Sequence, residues 1–281
     1  MTIVERLAAF DDVTLLDSGD SERGRWDIIA AGADTTLTLA PAASDAEIEE
    51  FVHELLALEA GLQGQAASAP VGSPFAGGLI GFLGYELGRR LRGFPPRTGC
   101  SQPLAVVRQY PWAIVQDRWN DEAMLVGVEA SNHEISYRIE RLLSEEQDTP
   151  APPFALRQPF RSNWDFADYE QRFATVQRYI VDGDCYQINL GQRFEAPYSG
   201  SVHAAYRSLR DIAKAPFSAF VPLDSGTALL CMSPERFLTV DGARVSTHPI
   251  KGTRPRSADP VEDQRRLDWR TAGRVDGECH R

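Results

Sequence analysis

The sequence lacks the features that mark several large classes of protein. Its four cysteines, Cys100, Cys185, Cys231 and Cys279, form no Cys-x-x-Cys pair, which argues against a zinc or redox motif and for reduced thiols in a cytoplasmic protein. No apolar run approaches the roughly 18 residues of a membrane span, so we expect no membrane partner. A signal peptide, a Gly-rich phosphate loop and internal repeats are also missing from the sequence.

Basic residues are outnumbered as well. The sequence has 29 Lys and Arg against 40 Asp and Glu, a formal net charge of -11, which argues against a nucleic-acid partner. A locally basic pocket for a small anion is compatible with this charge. With 43% hydrophobic and 25% charged residues, the 281-residue chain is typical of a globular protein with a sizeable core.

Helical and extended patterns alternate irregularly along the chain. Extended patterns predict short strands within 13–40, where Thr35 to Leu39 alternates with period two, near 104–116 and 122–128, and at 185–194. Ser44 with Glu47 forms a capping box that begins a helix ending before Gly61. Because tight turns join several of the strands, antiparallel pairing is expected, and we predict an α+β fold rather than a doubly wound parallel sheet.

Two further segments organise the second half of the chain. Residues 147–161 hold four prolines and predict a linker or a long crossover. A helix is predicted from Asp165 to Val181. One apolar face of that helix collects Phe166, Tyr169, Phe173, Val176 and Ile180.

A hairpin is predicted around Asp241-Gly242, which lies between the extended runs 236–240 and 243–247. Asp-Gly between two such runs favours a type I′ turn, and a two-residue turn fixes the register. The predicted register pairs Val240 with Ala243 and Arg236 with Thr247, and it places Glu235 opposite His248.

Lys251 leaves the open end of this hairpin and is a candidate covalent nucleophile. An amine becomes a nucleophile only if its pKa falls, through burial or through nearby positive charge such as that of Arg254 and Arg256. Glu235 leaves the same sheet end, so the two side chains form a plausible proton donor and nucleophile. The alternative is an exposed ion pair that contributes at most about 1 kcal/mol.

Four runs in this sequence resemble the chorismate-utilising enzymes, and within them the branch that makes aminodeoxychorismate. They are residues 75–90, residues 183–190, Ser233-Pro234-Glu235-Arg236-Phe237, and the run from Pro249 to Arg256. The runs occur in the order found in that family, and the likeness covers about residues 13–267. The resemblance implies antiparallel sheets in an incomplete two-layer β-sandwich with surrounding helices.

The resemblance also implies an activity and its residues. Lys251 would attack C2 of chorismate while Glu235 protonates the departing 4-hydroxyl, and ammonia would then attack C4 and displace the lysine from C2. Gly252 and Thr253 would bind substrate. Mg²⁺, a glutamine amidotransferase component II as ammonia source, and a role in p-aminobenzoate and folate synthesis follow from the same likeness. Anthranilate synthase component I is the alternative, but that enzyme carries alanine where this chain has lysine.

A tryptophan pocket is a further implication for the N-terminal half. The matching residues are Ser18, the turn Arg23-Gly24-Arg25-Trp26, and Pro216-Phe217-Ser218. For Ser18 the alternative is an ordinary turn serine. The implied division is a tryptophan-pocket region at 1–146, a linker at 147–161, the first part of a chorismate-binding catalytic domain at 162–267, and a tail at 268–281 without family likeness.

The sequence departs from the family after Asp263. The family continues there with segments that include the magnesium-binding carboxylates, so we expect no metal ligands within this chain. The hypothesis drawn from the tail is a truncated or frame-shifted product, which the coding DNA beyond residue 268 would test. An inactive remnant, acting at most as a binding module for tryptophan or the glutaminase partner, is therefore a second interpretation.

Overall fold

The computed structural model describes residues 3–7, 10–19, 24–62, 72–97, 99, 101–127, 133–144, 152–224, 226–247, 259, 261 and 275–278. The chain divides into two compact units, Met1–Gln147 with Ser208–Arg281, and Asp148–Arg207. Each unit combines helices with antiparallel strand pairs, which confirms the predicted α+β class.

The described residues form the following helices and strands, numbered in chain order. The helices are α1 (Ile3–Arg6), α2 (Asp45–Leu62), α3 (Tyr85–Arg90), α4 (His133–Ser144), α5 (Phe166–Val181) and α6 (Val202–Ala213). The strands are β1 (Thr14–Asp17), β2 (Trp26–Ala30), β3 (Thr35–Leu39), β4 (Gly78–Leu83), β5 (Ala105–Tyr110), β6 (Trp112–Asp117), β7 (Glu122–Gly127), β8 (Ala155–Leu156), β9 (Arg161–Ser162), β10 (Phe194–Glu195), β11 (Tyr198–Ser199), β12 (Phe217–Asp224), β13 (Thr227–Ser233), β14 (Thr239–Asp241), β15 (Arg244–Thr247) and β16 (Val275–Glu278). Among these described helices, none is both long and apolar enough to cross a membrane.

Two sheets face each other in the first unit. One has the strand order β13-β12-β1-β2-β6-β7, and the other has the order β3-β5-β4. Ala113 and Val115 of the larger sheet pack against Ile80 and Tyr110 of the smaller one, and all four side chains are buried. The core between the sheets confirms the β-sandwich expected from the resemblance.

Helices cover the outer face of both sheets. Val4 of α1 and Ile139 of α4 pack on the larger sheet, where they meet Ile114 of β6. Ile48 of α2 and Leu87 of α3 pack on the smaller sheet. Because β6 is buried on both faces, with alternate side chains pointing to the helices and to the other sheet, its sequence is an almost continuous apolar run.

The predicted capping box begins α2. The Ser44 hydroxyl and backbone N–H both donate to the Glu47 carboxylate at 2.7 Å, and the Glu47 N–H donates back to Ser44 Oγ. This box is confirmed, but the helix continues through Gly61 to Leu62 instead of ending before it.

The single strand predicted at 104–116 is wrong, because Pro111 divides it. Residues before Pro111 form β5 of the smaller sheet, and residues after it form β6 of the larger sheet. Proline has no backbone N–H to donate to a ladder, so the chain changes sheets at this residue.

The second unit contains α5 and two short strand pairs, β9 with β10 and β8 with β11. The Asp165 carboxylate caps α5 by accepting from the Asp168 N–H at 2.8 Å, so the predicted helix is confirmed. The strand predicted at 185–194 is wrong. Only Phe194 of that run enters a strand, because β9, its partner, offers just Arg161 and Ser162 for pairing.

Candidate functional site

Ser18 lies directly after β1 and is buried. Its hydroxyl donates to the Trp26 carbonyl at 2.6 Å, and its N–H donates to Asp27 Oδ1 at 2.9 Å. Both bonds run to the start of β2, so they hold Ser18, the predicted tryptophan contact, between two strands of the larger sheet.

Gly24 packs directly against Ser18. A Cβ at position 24 would lie 2.2 Å from Ser18 Cβ and 2.6 Å from the Ser18 carbonyl oxygen. Any side chain at this position would therefore overlap Ser18, and glycine is the residue that fits. The close contact brings the 24–26 segment onto the end of β1.

The third group of predicted residues, Pro216-Phe217-Ser218, lies at the start of β12. Ser218 pairs with Asp17 in the β1–β12 ladder, and its buried hydroxyl donates to the Ala215 carbonyl at 3.0 Å. Phe217 begins β12, and Pro216 directly precedes the strand. The structure thus brings Ser18, Gly24, Trp26 and Ser218 together at one end of the sheet, and we call these four residues the Ser18 cluster.

Two buried carboxylates hold the chain around this cluster. Asp17 accepts from Arg210 Nε at 2.5 Å, and Asp27 accepts from the Ser18 N–H and from Arg118 Nη1, the latter at 3.3 Å. Burial raises the pKa of Asp27, although the hydrogen bond from Ser18 opposes that shift. The two ion pairs tie β1 and β2 to α6 and to the end of β6.

Arg25 turns toward the end of β6. Its Nε lies 3.1 Å and its Nη2 lies 2.6 Å from carboxylate oxygens of Asp117, and the guanidinium lies 4.2 Å and 5.1 Å from the ring centroids of Trp26 and Trp119. The hydrogen bond from Arg25 lowers the pKa of Asp117 to about 2. Arg25 is therefore engaged by the protein itself.

Replacing Asp117 with asparagine should change how the stability of the fold depends on pH. The folded-state pKa of Asp117 lies below its ordinary 3.8, so the ionised form stabilises the fold above that pH and loses its effect as the pH falls toward 2. We expect Asp117→Asn to lower the urea midpoint at pH 6, with a difference from the parent that shrinks on acidification. Asp121→Asn, at an exposed turn, is the matched control and should track the parent. A constant difference between pH 6 and pH 2 would contradict the assignment.

The hairpin forms, but its predicted register is wrong. Thr239 pairs with Ser246 and Asp241 pairs with Arg244, so the turn is Gly242-Ala243 rather than Asp241-Gly242. Gly242 has φ of 58°, whereas Asp241 stays in β14. A positive φ at the first central position is typical of a type II′ turn, and this preference moves the turn by one residue.

Glu235 lies between β13 and β14, before the hairpin ladder begins. Ser233 Oγ donates to the Glu235 carbonyl at 2.8 Å and accepts from its N–H, which fixes the backbone there, and the residue is half-buried. The predicted pairing of Arg236 with Thr247 is not made, since Thr247 Oγ1 donates to the Phe237 carbonyl at 2.7 Å.

Several predicted site residues lie outside the described residues. They are Arg23, Lys251, Gly252 and Thr253, and His248, the predicted neighbour of Glu235 in the hairpin, lies outside them as well. The separation of Glu235 from Lys251 therefore stays a prediction. Within the part of the chain that the structure describes, no group of three or more His, Cys, Asp or Glu could hold a metal ion, so these residues do not fit a Mg²⁺ site.

The charged frame of the Ser18 cluster was not predicted. Asp17 precedes Ser18 and Asp27 follows Trp26, and both of these neighbours are predicted site residues. This adjacency is the only feature of the sequence that points to the two aspartates. Arg210, the partner of Asp17, lies 193 residues from it, and Arg118, the partner of Asp27, lies 91 residues from it. Pairing over such separations is visible only in the folded chain.

Most of the chain matches one protein family. The family model described as chorismate binding enzyme matches residues 12–269. The chain is similar to aminodeoxychorismate synthase component 1 of Escherichia coli strain K12, 40% identical over 194 residues, which cover 68% of this chain and 42% of that protein. It is also similar to the protein of the same name from Klebsiella aerogenes, 37% identical over 265 residues, which cover 89% of this chain and 56% of the relative.

A solved structure supports the fold. The crystal structure of anthranilate synthase component I from Streptococcus pneumoniae TIGR4 matches with a TM-score of 0.59 at 20% identity, covering 81% of this chain and 54% of that one. This chain therefore spans about half the length of the relatives that it matches.

Proposed function

Because the chain belongs to the chorismate binding enzyme family, we propose that it supplies the nucleophile and the general acid of an aminodeoxychorismate synthase. The reaction converts chorismate and ammonia to 4-amino-4-deoxychorismate, for p-aminobenzoate and folate synthesis. The observation that supports this branch is a lysine at position 251 in a chain similar to two proteins named aminodeoxychorismate synthase component 1. A component of that name needs a partner, and a glutamine amidotransferase component II is the proposed ammonia source.

The proposed chemistry proceeds through a covalent intermediate. Lys251 Nζ forms a bond to C2 of chorismate as the C4–O bond breaks, and Glu235 protonates the leaving hydroxyl so that it departs as water. Ammonia then bonds to C4 while the bond from C2 to Lys251 breaks, and Glu235 regains its proton from the ammonium formed. Gly252 and Thr253 are proposed to contact the substrate next to the nucleophile. Mg²⁺ belongs to this proposal as the family's metal, with ligands other than the described residues.

An ammonia-dependent assay tests the proposal. The 281-residue chain is incubated with chorismate, an ammonium salt and Mg²⁺, alone and with the separately expressed unmatched half of the Escherichia coli relative. Products are separated by chromatography and identified by mass spectrometry. We expect aminodeoxychorismate. Anthranilate as the product would overturn the choice of branch, and no product in either preparation would overturn the activity.

The general acid can be tested in the same assay. We expect Glu235→Gln to reduce the rate of aminodeoxychorismate formation by about 10² to 10⁴-fold, the usual contribution of a positioned acid. The matched control is Glu195→Gln, at an exposed strand residue of the second unit, which should retain the parental rate. Equal rates for the two variants would remove Glu235 from the mechanism.

A binding module is the second candidate function. The Ser18 cluster favours this function, because its residues already contact one another within this chain. The chain needs no more than about half of its relatives' length to form the cluster. We propose tryptophan as the ligand, bound by Ser18, by the turn Arg23-Gly24-Arg25-Trp26 and by Pro216-Phe217-Ser218.

We also propose that 1–146 and 162–267 differ in function, although β12 of the later region pairs with β1 of the earlier one.

Tryptophan binding should depend on the Ser18 hydroxyl. Its proton is donated to Trp26, so its oxygen keeps lone pairs that can accept from the ammonium group of an amino acid. We expect calorimetric titration with tryptophan to give at least tenfold weaker binding for Ser18→Ala. Ser144→Ala, at the exposed end of α4, should match the parent. Equal affinity for all three proteins would exclude Ser18 as a ligand contact.

A further inference from the structure

Glu235 lies in a segment that the strand ladders do not hold. β13 ends at Ser233 and β14 begins at Thr239, so the described residues 234–238 lie between two ladders. A general acid must stay within hydrogen-bond reach of the group that it protonates, and a misplacement of about 1 Å is costly. The backbone of Glu235 therefore needs a support other than strand pairing.

The Ser233 hydroxyl supplies this support on one side. It donates to the Glu235 carbonyl at 2.8 Å and accepts from the Glu235 N–H at 3.3 Å, so one side chain binds both backbone groups of Glu235. Ser233 is itself fixed, because it pairs with Phe217 in the ladder of β12 and β13 and directly precedes Pro234. Proline has a fixed φ and restricts the residue before it to extended conformations. Few free torsions therefore separate the ladder from Glu235.

Arg236 holds the segment on the other side of Glu235. Its guanidinium lies 5.5 Å from the centroid of the Phe217 ring, within the range of a cation–π contact. Phe217 is the residue that pairs with Ser233, so the chain returns to the same strand end directly after Glu235. The two neighbours of the Pro234–Glu235 pair are thus both attached to β12.

The same local turn occurs a second time in the chain. Ser73 is followed by Pro74 and Phe75, and its hydroxyl donates to the Phe75 carbonyl at 2.7 Å. This turn precedes β4 and presents Phe75, which packs against the core between the two sheets. It is a matched comparison, because it has the same serine, proline and hydrogen bond but carries an apolar side chain where the other turn carries an acid.

We propose that Ser233 is a positioning residue for the general acid, and that its hydroxyl holds the backbone of Glu235 where the carboxyl group can protonate the leaving hydroxyl of chorismate. This inference rests on the proposed function, in which Glu235 is that acid. The hydroxyl of Ser233 acts through the backbone of its neighbour, so its loss should lower turnover more than it weakens substrate binding.

The first test uses the chorismate assay on the 281-residue chain, in whichever of the two preparations forms product. We expect Ser233→Ala to lower kcat about 10- to 100-fold, with KM changed less than about twofold. Ser233→Thr retains a hydroxyl and should recover the parental kcat to within about threefold. Ser73→Ala removes the matched bond and should keep the parental rate. The proposal is overturned if Ser233→Ala behaves like Ser73→Ala, or if threonine is no better than alanine.

A double variant separates positioning from a general loss of structure. In the Glu235→Gln background there is no acid to position, so adding Ser233→Ala should lower the residual rate less than about twofold. A purely structural role would cost the same factor in both backgrounds. Equal losses would therefore overturn the proposal.

Hydrogen exchange gives a readout that does not depend on turnover. Because the Glu235 N–H donates to Ser233 Oγ, we expect its exchange, followed by fragmentation mass spectrometry, to become about three- to tenfold faster in Ser233→Ala and to stay unchanged in Ser73→Ala. Faster exchange in a chain that forms no aminodeoxychorismate would refute the proposed function and leave the support of the Glu235 backbone in place. Product formation with exchange and kcat both unchanged in Ser233→Ala would refute the positioning role alone.

Discussion

Lys251→Ala is expected to abolish aminodeoxychorismate formation, with a loss of at least about 10³-fold, because removal of a covalent nucleophile costs that much or more. Alanine cannot form the bond to C2. Without attack by the lysine at C2, the C4–O bond is not broken by this route. Free ammonia is then the nucleophile that remains to attack C2. Any residual product of the variant should therefore carry nitrogen at C2. The measurement is the chorismate assay with identification of both aminated products.

The sequence offers an unusually clean control for this experiment. Lys214 and Lys251 are its only lysines. Lys214 is exposed, directly follows α6 and has φ of 46°, a conformation that asparagine tolerates, so Lys214→Asn removes the same charge without straining the backbone. This variant should keep the parental rate.

A second readout does not depend on turnover. When ammonia is omitted, the intermediate has no second nucleophile, so an adduct of chorismate less water should accumulate on the peptide that contains Lys251. Peptide mass spectrometry distinguishes it from the single other lysine peptide. An adduct on neither lysine, together with unchanged activity of Lys251→Ala, would refute covalent catalysis.

Gly24→Ala is expected to destabilise the first unit by about 1–3 kcal/mol, the usual cost of forcing extra atoms into a packed site. The new Cβ would overlap Ser18, and the relief of that overlap would move either the end of β1 or the start of β2. Because Ser18 bonds to both Trp26 and Asp27, the shift should also disturb the Ser18 cluster. Urea unfolding and tryptophan titration measure the two effects.

The control for this substitution is Gly88→Ala. Gly88 lies exposed in α3, and a Cβ there would meet nothing within 4 Å. Alanine is the better helix former by about 1 kcal/mol, so this variant should be as stable as the parent or more stable. If both variants shifted the unfolding midpoint in the same direction and by the same amount, steric overlap at Gly24 would not be the cause.

Local signals predicted much of the fold. The reciprocal bonds of Ser44 and Glu47 and the Asp165 cap involve residues three apart, so their chemistry is readable from the sequence. The apolar face of α5 was predicted for the same reason, but a helical repeat cannot tell which surface covers it.

The sequence pattern did not predict which strands pair with each other or in which register. Pro111 divides an apolar run that reads as one strand, and the two pieces join different sheets. The hairpin turn moved by one residue because Gly242 takes the positive φ at the first central position. Both outcomes depend on which ladder hydrogen bonds the folded sheet can complete.

The sequence by itself determined the family, the candidate nucleophile Lys251 and the residues Ser18, Gly24 and Ser218, because short motifs preserve chemistry that each residue carries alone. Only the tertiary structure decided that these three residues meet at one sheet end and that Arg210 and Asp17, 193 residues apart, hold them there. The physical reason is that burial and ion pairing are set by contacts between distant segments, and such contacts exist only once β1, β2 and β12 have formed one sheet.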